Sequence, residues 1–144
     1  MKKKLLLLGL IGVVPFMTGC GSVKSKMVCV MEDVDIVEKI EFSFDGDDKL
    51  LGGNIEETID YKNMNYSALF NCDTIEACIS QDEERAKSIC DNGDYTNCQH
   101  KSGETTSTIT AEFTEQGLEE FSTPAGSTKD KVKQVAENGG FKCE

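Results

Sequence analysis

The sequence has few of the residues on which common catalytic and metal sites depend. Its 144 residues include one histidine, His100, and they contain neither a C-x-x-C pair nor a G-x-S-x-G turn. A Ser-His-Asp mechanism needs a histidine base beside the serine, whereas His100 is predicted to lie in a polar loop next to Ser102. Zinc ribbons and disulfide-exchange proteins use closely spaced cysteines. We therefore expect no catalytic residue, no metal ligand and no cofactor, and the protein is not expected to be an enzyme.

Positive charge is also scarce. The chain has 15 basic and 26 acidic residues, a formal net charge of −11. A surface of this sign opposes binding to nucleic acid and to anionic lipid headgroups. We therefore expect no nucleic-acid partner, and any attachment to a membrane must have another cause.

No hydrophobic run is long enough to cross a bilayer. The longest begins after Lys2, Lys3 and Lys4 and covers residues 5–16. As a helix it would be about 18 Å long, against about 30 Å of hydrocarbon. A basic start, a short apolar stretch and small residues at the exit indicate an export signal.

The end of this segment, Met17-Thr18-Gly19-Cys20, resembles the lipobox of bacterial lipoproteins. The resemblance implies acyl chains on the Cys20 sulfur and cleavage before Cys20. Each buried methylene contributes about 0.8 kcal/mol, so two chains form a stable anchor. The expected organisation is a signal peptide at 1–19, a lipidated tether at 20–26 and one domain at 27–144. The expected location is the outer, extracytoplasmic face of the cell membrane, with the lipid on Cys20 as the membrane contact.

The mature chain would have the size of a single domain. Removal of residues 1–19 leaves 125 residues and 12 basic side chains, for a net charge of −14. A chain of this length can bury roughly two-thirds of its unfolded surface, which is enough for a hydrophobic core.

Apart from Cys20, six cysteines remain, an even number that in an exported protein predicts three disulfides. They are Cys29, Cys72, Cys78, Cys90, Cys98 and Cys143. Cys29 belongs to the first predicted strand, and Cys143 follows a helix that must fold back on the sheet. We therefore predict a bond between these two residues.

The four central cysteines lie in and around a predicted helical segment. Within one helix Cys78 and Cys90 would be about 18 Å apart, whereas a disulfide needs Cα atoms within about 7 Å. The Cys78–Cys90 pair is therefore rejected. Cys72–Cys78 with Cys90–Cys98 is favoured because each pair flanks one helix end. Cys72–Cys90 with Cys78–Cys98 stays open if the segment is a pair of helices.

Alternating apolar and polar residues predict strands. Residues 36–44 place Ile36, Ile40, Phe42 and Phe44 on one face, and residues 105–113 repeat the pattern. A turn at 45–48 predicts a hairpin over 36–61, with a bulge at the glycine pair 52–53. Residues 27–31 are compatible with a further strand.

Two segments have helical spacing. Residues 73–91 form one long helix or two short ones, with Asp73 as the cap and Asn92-Gly93 as the end. Ser127 is the predicted cap of a final helix that ends at 139–140. Residues 92–103 are predicted to be a loop, and 115–117 a turn. The order of these elements predicts an α+β domain in which an antiparallel sheet packs against helices.

The layout resembles that of the YehR-like lipoproteins. The resemblance is carried by FSFDGDDKLLGGNIEETIDY, the helical middle, TSTITAEF and the ending KVKQVAENGGFKCE. These are small lipid-anchored bacterial proteins without an established activity. The resemblance implies an antiparallel sheet with helices, and it supplies no catalytic or ligand residues.

These features favour a binding or accessory module of the bacterial cell envelope, with an envelope protein or a small molecule as its partner. One alternative is an acidic inhibitor of a basic enzyme that attacks the envelope. Another is an envelope hydrolase, which predicts a concave pocket with a perturbed carboxylate. Calcium is the remaining ligand hypothesis, because residues 45–48 and 91–94 cluster oxygen ligands, although both also fit ordinary turns.

Overall fold

A computed structural model of the chain describes residues 21–63 and 71–144. The predicted signal peptide and the predicted lipid site, Cys20, lie outside the described residues. The described strands are β1 (Ser25–Glu32), β2 (Ile36–Phe44), β3 (Leu50–Asp60), β4 (Tyr95–Ser102), β5 (Thr106–Phe113) and β6 (Lys142–Cys143). The described helices are α1 (Ile75–Asp91), α2 (Glu115–Glu120) and α3 (Lys129–Asn138).

The strands form one antiparallel sheet in the order β4-β5-β3-β2-β1-β6, and the helices cover one of its faces. We call the covered face the inner face. This arrangement confirms the predicted α+β domain. β1 begins at Ser25, so the last two residues of the predicted tether belong to the strand.

The β2–β3 hairpin has the predicted position, but its bulge lies at Leu51, just before the predicted glycine pair, which is regularly paired with β2. The Asp45 carboxylate accepts hydrogen bonds from the backbone N–H groups of Asp47 and Lys49, both at 2.9 Å, and so closes the turn. The pairing register shifts beside Phe44, which leaves Leu51 as the extra residue of the bulge. Such a bulge bends the strand and increases its twist.

Two groups of apolar side chains fill the space between the sheet and the helices. The larger lies under α2 and α3 and includes Phe42, Phe44 and Val132, all at 0% exposure. The smaller lies under the start of α1 and includes Ile59 and Cys78. Burying one large aliphatic or aromatic side chain contributes about 1.5–3 kcal/mol. The two groups therefore hold the helices to opposite ends of the inner face.

The prediction of a loop at 92–103 is wrong, since this segment contains β4. β4 is an edge strand, hydrogen-bonded only to β5, and most of its side chains are exposed or half-buried. A strand in that position needs no regular alternation of apolar and polar residues. A register shift between Thr96 and Gln99 also interrupts the alternation of its side chains between the two faces.

Three local predictions also need correction. The turn predicted at 115–117 is the start of α2, which is capped by the Thr114 hydroxyl accepting from the Gly117 N–H at 3.1 Å. The caps of α1 and α3 are Thr74 and Thr128, one residue after the predicted Asp73 and Ser127. Threonine is among the residues preferred at this position, because its hydroxyl accepts a hydrogen bond from a backbone N–H group of the first turn. α1 is one continuous helix, and its end at Asn92 agrees with the prediction.

The structure pairs the six cysteines as the sequence favours. Cys29 and Cys143 are opposite each other on β1 and β6, with Cα atoms 4.0 Å apart. The bonds Cys72–Cys78 and Cys90–Cys98 flank the two ends of α1, with Cα separations of 5.4 and 5.5 Å.

We predict that the long-range disulfide stabilises the domain more than the short-range ones. The Cys29–Cys143 bond closes a loop with a sequence separation of 114, against 8 for Cys90–Cys98. In the chain-entropy account, replacing Cys29 and Cys143 by alanine lowers the free energy of unfolding by about 2 kcal/mol more than replacing Cys90 and Cys98. Urea unfolding of both double variants measures the difference, and equal losses would contradict the prediction.

Candidate functional site

A cleft of about 240 Å³ opens on the inner face of the sheet, between the end of α1 and the segments that follow α2 and α3. Strands β2, β3 and β5 supply its floor. Ile89 of α1 and Tyr95 of β4 line one side, and Phe121 and Phe141 line another. The floor consists of Glu38, Ile40, Ile55, Glu57, Ile109, Ala111 and Phe113.

The strand register arranges the floor in rows. Side chains opposite each other on paired strands share a face, and Glu38 is opposite Glu57, which is opposite Ile109. The next inward row is wholly apolar: Ile40, Ile55 and Ala111. The cleft therefore has two carboxylates at one position and an apolar surface beside them.

Aromatic rings form the apolar part of the cleft. The centroid of the Phe121 ring lies 5.8 Å from that of Phe113 and 6.4 Å from that of Phe141, and Tyr95 contacts Phe113 at 5.3 Å. Such separations are typical of favourable tilted ring pairs. Gly53 permits this packing, because a Cβ atom there would come within 3.1 Å of the Phe42 ring and 3.3 Å of the Phe113 ring.

The two carboxylates of the cleft differ in their partners. Glu57 forms an ion pair with the Arg85 guanidinium of α1. Burial, repulsion by Glu57 and a hydrogen bond shared with Glu57 raise the pKa of Glu38, which the charge of Arg85 only partly offsets. Glu38 therefore holds its proton to a higher pH than an exposed glutamate does.

Asp82, a buried acid on α1, extends the group formed by Glu38, Glu57 and Arg85 into the core. Asp82 is 0% exposed, and its carboxylate accepts a hydrogen bond from the Arg85 Nε at 2.6 Å. The hydroxyl of Ser107 on β5 donates to the other Asp82 oxygen. These bonds supply the partners that a buried carboxylate requires. Arg85 consequently joins Asp82 to Glu57 and holds α1 against β3.

His100 lies beside this network, in contrast to the predicted solvated loop. Its Nε2 is 2.7 Å from the Ser107 hydroxyl oxygen and 3.7 Å from an Asp82 oxygen. In a catalytic triad the acid orients the histidine, and the serine is open to substrate. Here the acid binds the serine directly, and Ser107 is only 1% exposed. The three residues therefore form a structural network in which Asp82 and Ser107 are buried and His100 is half-buried.

Two tyrosines close to these acids have raised pKa values because they are shielded from water. Burial and then the Asp82 charge raise the pKa of Tyr61. Burial, followed by the charges of Asp94, Glu38 and Glu57, raises the pKa of Tyr95. Both effects follow from low dielectric and excess negative charge.

The sequence predicted the disulfides but missed the cleft, and two of the three bonds lie next to residues that line it. Cys90–Cys98 fixes the end of α1 beside Tyr95, and Cys29–Cys143 fixes the segment after Phe141. The predicted site residues thus hold two walls of the cleft in place. A signal for the missed acid existed, because Glu38 shares the inward parity of Ile36 and Ile40.

The acidic segments considered for calcium form turns and contacts of their own. Asp45 closes the hairpin turn, Asn92 Oδ1 accepts from the Asp94 N–H at 2.9 Å, and Asp94 accepts from the Gln116 side chain at 3.0 Å. Within residues 21–63 and 71–144, no three acidic, histidine or cysteine side chains form a metal-sized cluster. Nor does any helix in this part of the chain have the length and apolar character to span a bilayer.

No protein-family model, curated protein or solved structure matches the chain. The geometry of the site is therefore the basis for the functional argument.

Asp82→Ala is expected to destabilise the domain by about 3 kcal/mol, because it leaves the Arg85 guanidinium and the buried Ser107 hydroxyl without their shared carboxylate. Urea unfolding measures the loss. Glu84→Ala, a substitution on the exposed face of the same helix, is the control and should change stability by less than about 0.5 kcal/mol. Equal effects of the two substitutions would show that the network does not hold α1.

Glu38→Gln is expected to raise the melting temperature at pH 7. The pKa of Glu38 is raised in the folded state, so its contribution to stability is complete below the pKa of the unfolded chain and is lost as pH rises through the folded value. Glutamine keeps the uncharged form at every pH. The advantage of the variant should therefore vanish below about pH 4. Glu56→Gln is the control, because Glu56 directly precedes Glu57 on β3 and its side chain lies on the opposite face of the sheet. A difference in melting temperature between Glu38→Gln and the unsubstituted protein that does not change with pH would contradict this explanation.

Proposed function

We propose that the protein is a lipid-anchored lipoprotein on the extracytoplasmic face of a bacterial membrane, and that its domain is a small-molecule binding module of the cell envelope. The observation that supports the proposal is the cleft, which combines apolar and aromatic walls with two converging carboxylates. Binding sites for small molecules are commonly concave, mainly apolar and equipped with a few polar groups.

The location rests on the lipobox-like segment and on the cysteines. Three disulfides within one domain are typical of an oxidising compartment outside the cytoplasm. β1 begins five residues after Cys20, so acyl chains on Cys20 would keep the domain close to the membrane surface. The fold is also of the kind that the resemblance to YehR-like lipoproteins implies.

A hydrolase is the second candidate, because the cleft and the raised pKa of Glu38 meet the requirement stated for it. Glycosidases separate their two carboxyl groups by about 5 Å or more. Glu38 and Glu57 instead share a hydrogen bond, and Glu57 is neutralised by Arg85. This geometry favours recognition of a ligand over attack on a glycosidic bond, and we propose binding without catalysis.

The anchor predicts a specific mass for protein extracted from membranes. The expected product begins at Cys20, carries the mass of a diacylglyceryl group and has no free thiol among its other six cysteines. Intact mass spectrometry with and without reduction measures both properties. A Cys20→Ser variant is the control and should carry no acyl mass. A chain that retains residues 1–19 with an unmodified Cys20 would contradict the proposed location.

The binding function predicts that small organic fragments contact the cleft. In methyl NMR spectra of the full-length protein, such fragments should shift the signals of Ile40, Ile55, Ile89 and Ile109. Ala111→Leu adds volume to the cleft floor and should abolish these shifts. Shifts confined to Val28 and Val30 of β1, which do not line the cleft, would contradict the assignment of the site.

A further inference from the structure

The carboxylate end of the cleft carries more negative than positive charge. Glu38 and Glu57 are the two carboxyl groups that line it, and Arg85 pairs both with Glu57 and with the buried Asp82, which does not line the cleft. The Arg85 Nε donates to Asp82 and its Nη2 to Glu57, so its charge is already paired with these two carboxylates. In the described part of the chain, Glu38 belongs to no ion pair. A cation supplied by a ligand would therefore complete this group of charges.

The rest of the cleft suits an apolar body attached to that cation. Tyr95, Phe113, Phe121 and Phe141 supply four aromatic rings to its lining. Ring faces attract cations and pack against other rings. A ligand whose positive group is separated from an apolar ring by one or two methylene groups would contact both parts of the cleft.

The volume limits the size of the ligand. A protein cavity of about 150 Å³ holds a benzene molecule, and this cleft measures about 240 Å³. The difference allows one ring and a short side chain. Larger amphiphiles, such as intact phospholipids, would not fit within it.

We propose that the cleft binds a small organic amine, with its ammonium group at Glu38 and a ring or short aliphatic body among the aromatic side chains. The proposal rests on the proposed binding function and adds the chemical class of the ligand. Glu38 acts as the specificity residue, Glu57 is its hydrogen-bonded neighbour, and Arg85 keeps Glu57 in place.

Three probes that share a phenyl ring and a two-carbon linker test the charge requirement: 2-phenylethylamine, 2-phenylethanol and 3-phenylpropanoate. Each is titrated into full-length protein in phosphatidylcholine nanodiscs at about pH 8, where the amine is still charged. Affinities are read from the isoleucine methyl signals of the cleft, so that partition of a probe into lipid does not count as binding. The amine should bind about tenfold more tightly than the alcohol, the ratio expected of one charge-assisted hydrogen bond. The phenylpropanoate should bind most weakly.

Glu38→Gln should reduce affinity for the amine about tenfold and leave affinity for the alcohol within about twofold. Glu56→Gln, on the opposite face, should change neither. Equal affinities for amine and alcohol, or an unchanged amine affinity in Glu38→Gln, would overturn the amine class while leaving the cleft as a binding site. The absence of methyl shifts with all three probes would count against the proposed binding function itself.

Discussion

The attachment of α1 to the sheet depends on a buried carboxylate. Asp82 lies on the inward face of the helix at 0% exposure and bonds to Arg85 on its own helix and to Ser107 on β5. Removing such an acid from water is costly unless its partners replace the lost hydration. The position of the helix is therefore restricted to one in which Ser107 reaches Asp82 and Arg85 reaches Glu57. The disulfides at its two ends, Cys72–Cys78 and Cys90–Cys98, restrict it further.

This placement of α1 determines the shape and charge of the cleft. The helix covers one end of the inner face and leaves a gap before the segments after α2 and α3, in which Ile89 and Phe121 line different walls. Through Arg85 the same helix also neutralises Glu57. Glu38 remains as the acid with a raised pKa and an apolar surface beside it. Stability and the proposed recognition of a ligand thus involve neighbouring ionic groups at the edge of the hydrophobic core.

Local patterns predicted much of the fold. The alternation in β2 and β5 placed Phe42 and Ile109 correctly, and helix geometry excluded the Cys78–Cys90 pair. β4 was missed because an edge strand needs no apolar alternation. The site was missed for a different reason, since the contacts of Glu38 and Glu57 arise from strand register and those of Arg85 from helix docking. Single-sequence patterns indicate which face a side chain occupies but not which side chain lies opposite it.

Strand register places Glu38 next to Glu57 in a shielded cleft, and the docking of α1 brings Arg85 to this pair. An NMR titration that follows the carboxyl carbon of Glu38 tests this arrangement most directly. We expect a pKa of Glu38 above that of an exposed glutamate, and a further rise in Arg85→Met, in which the favourable guanidinium charge is gone. A pKa of Glu38 at the ordinary value of about 4.3, unchanged by Arg85→Met, would contradict it.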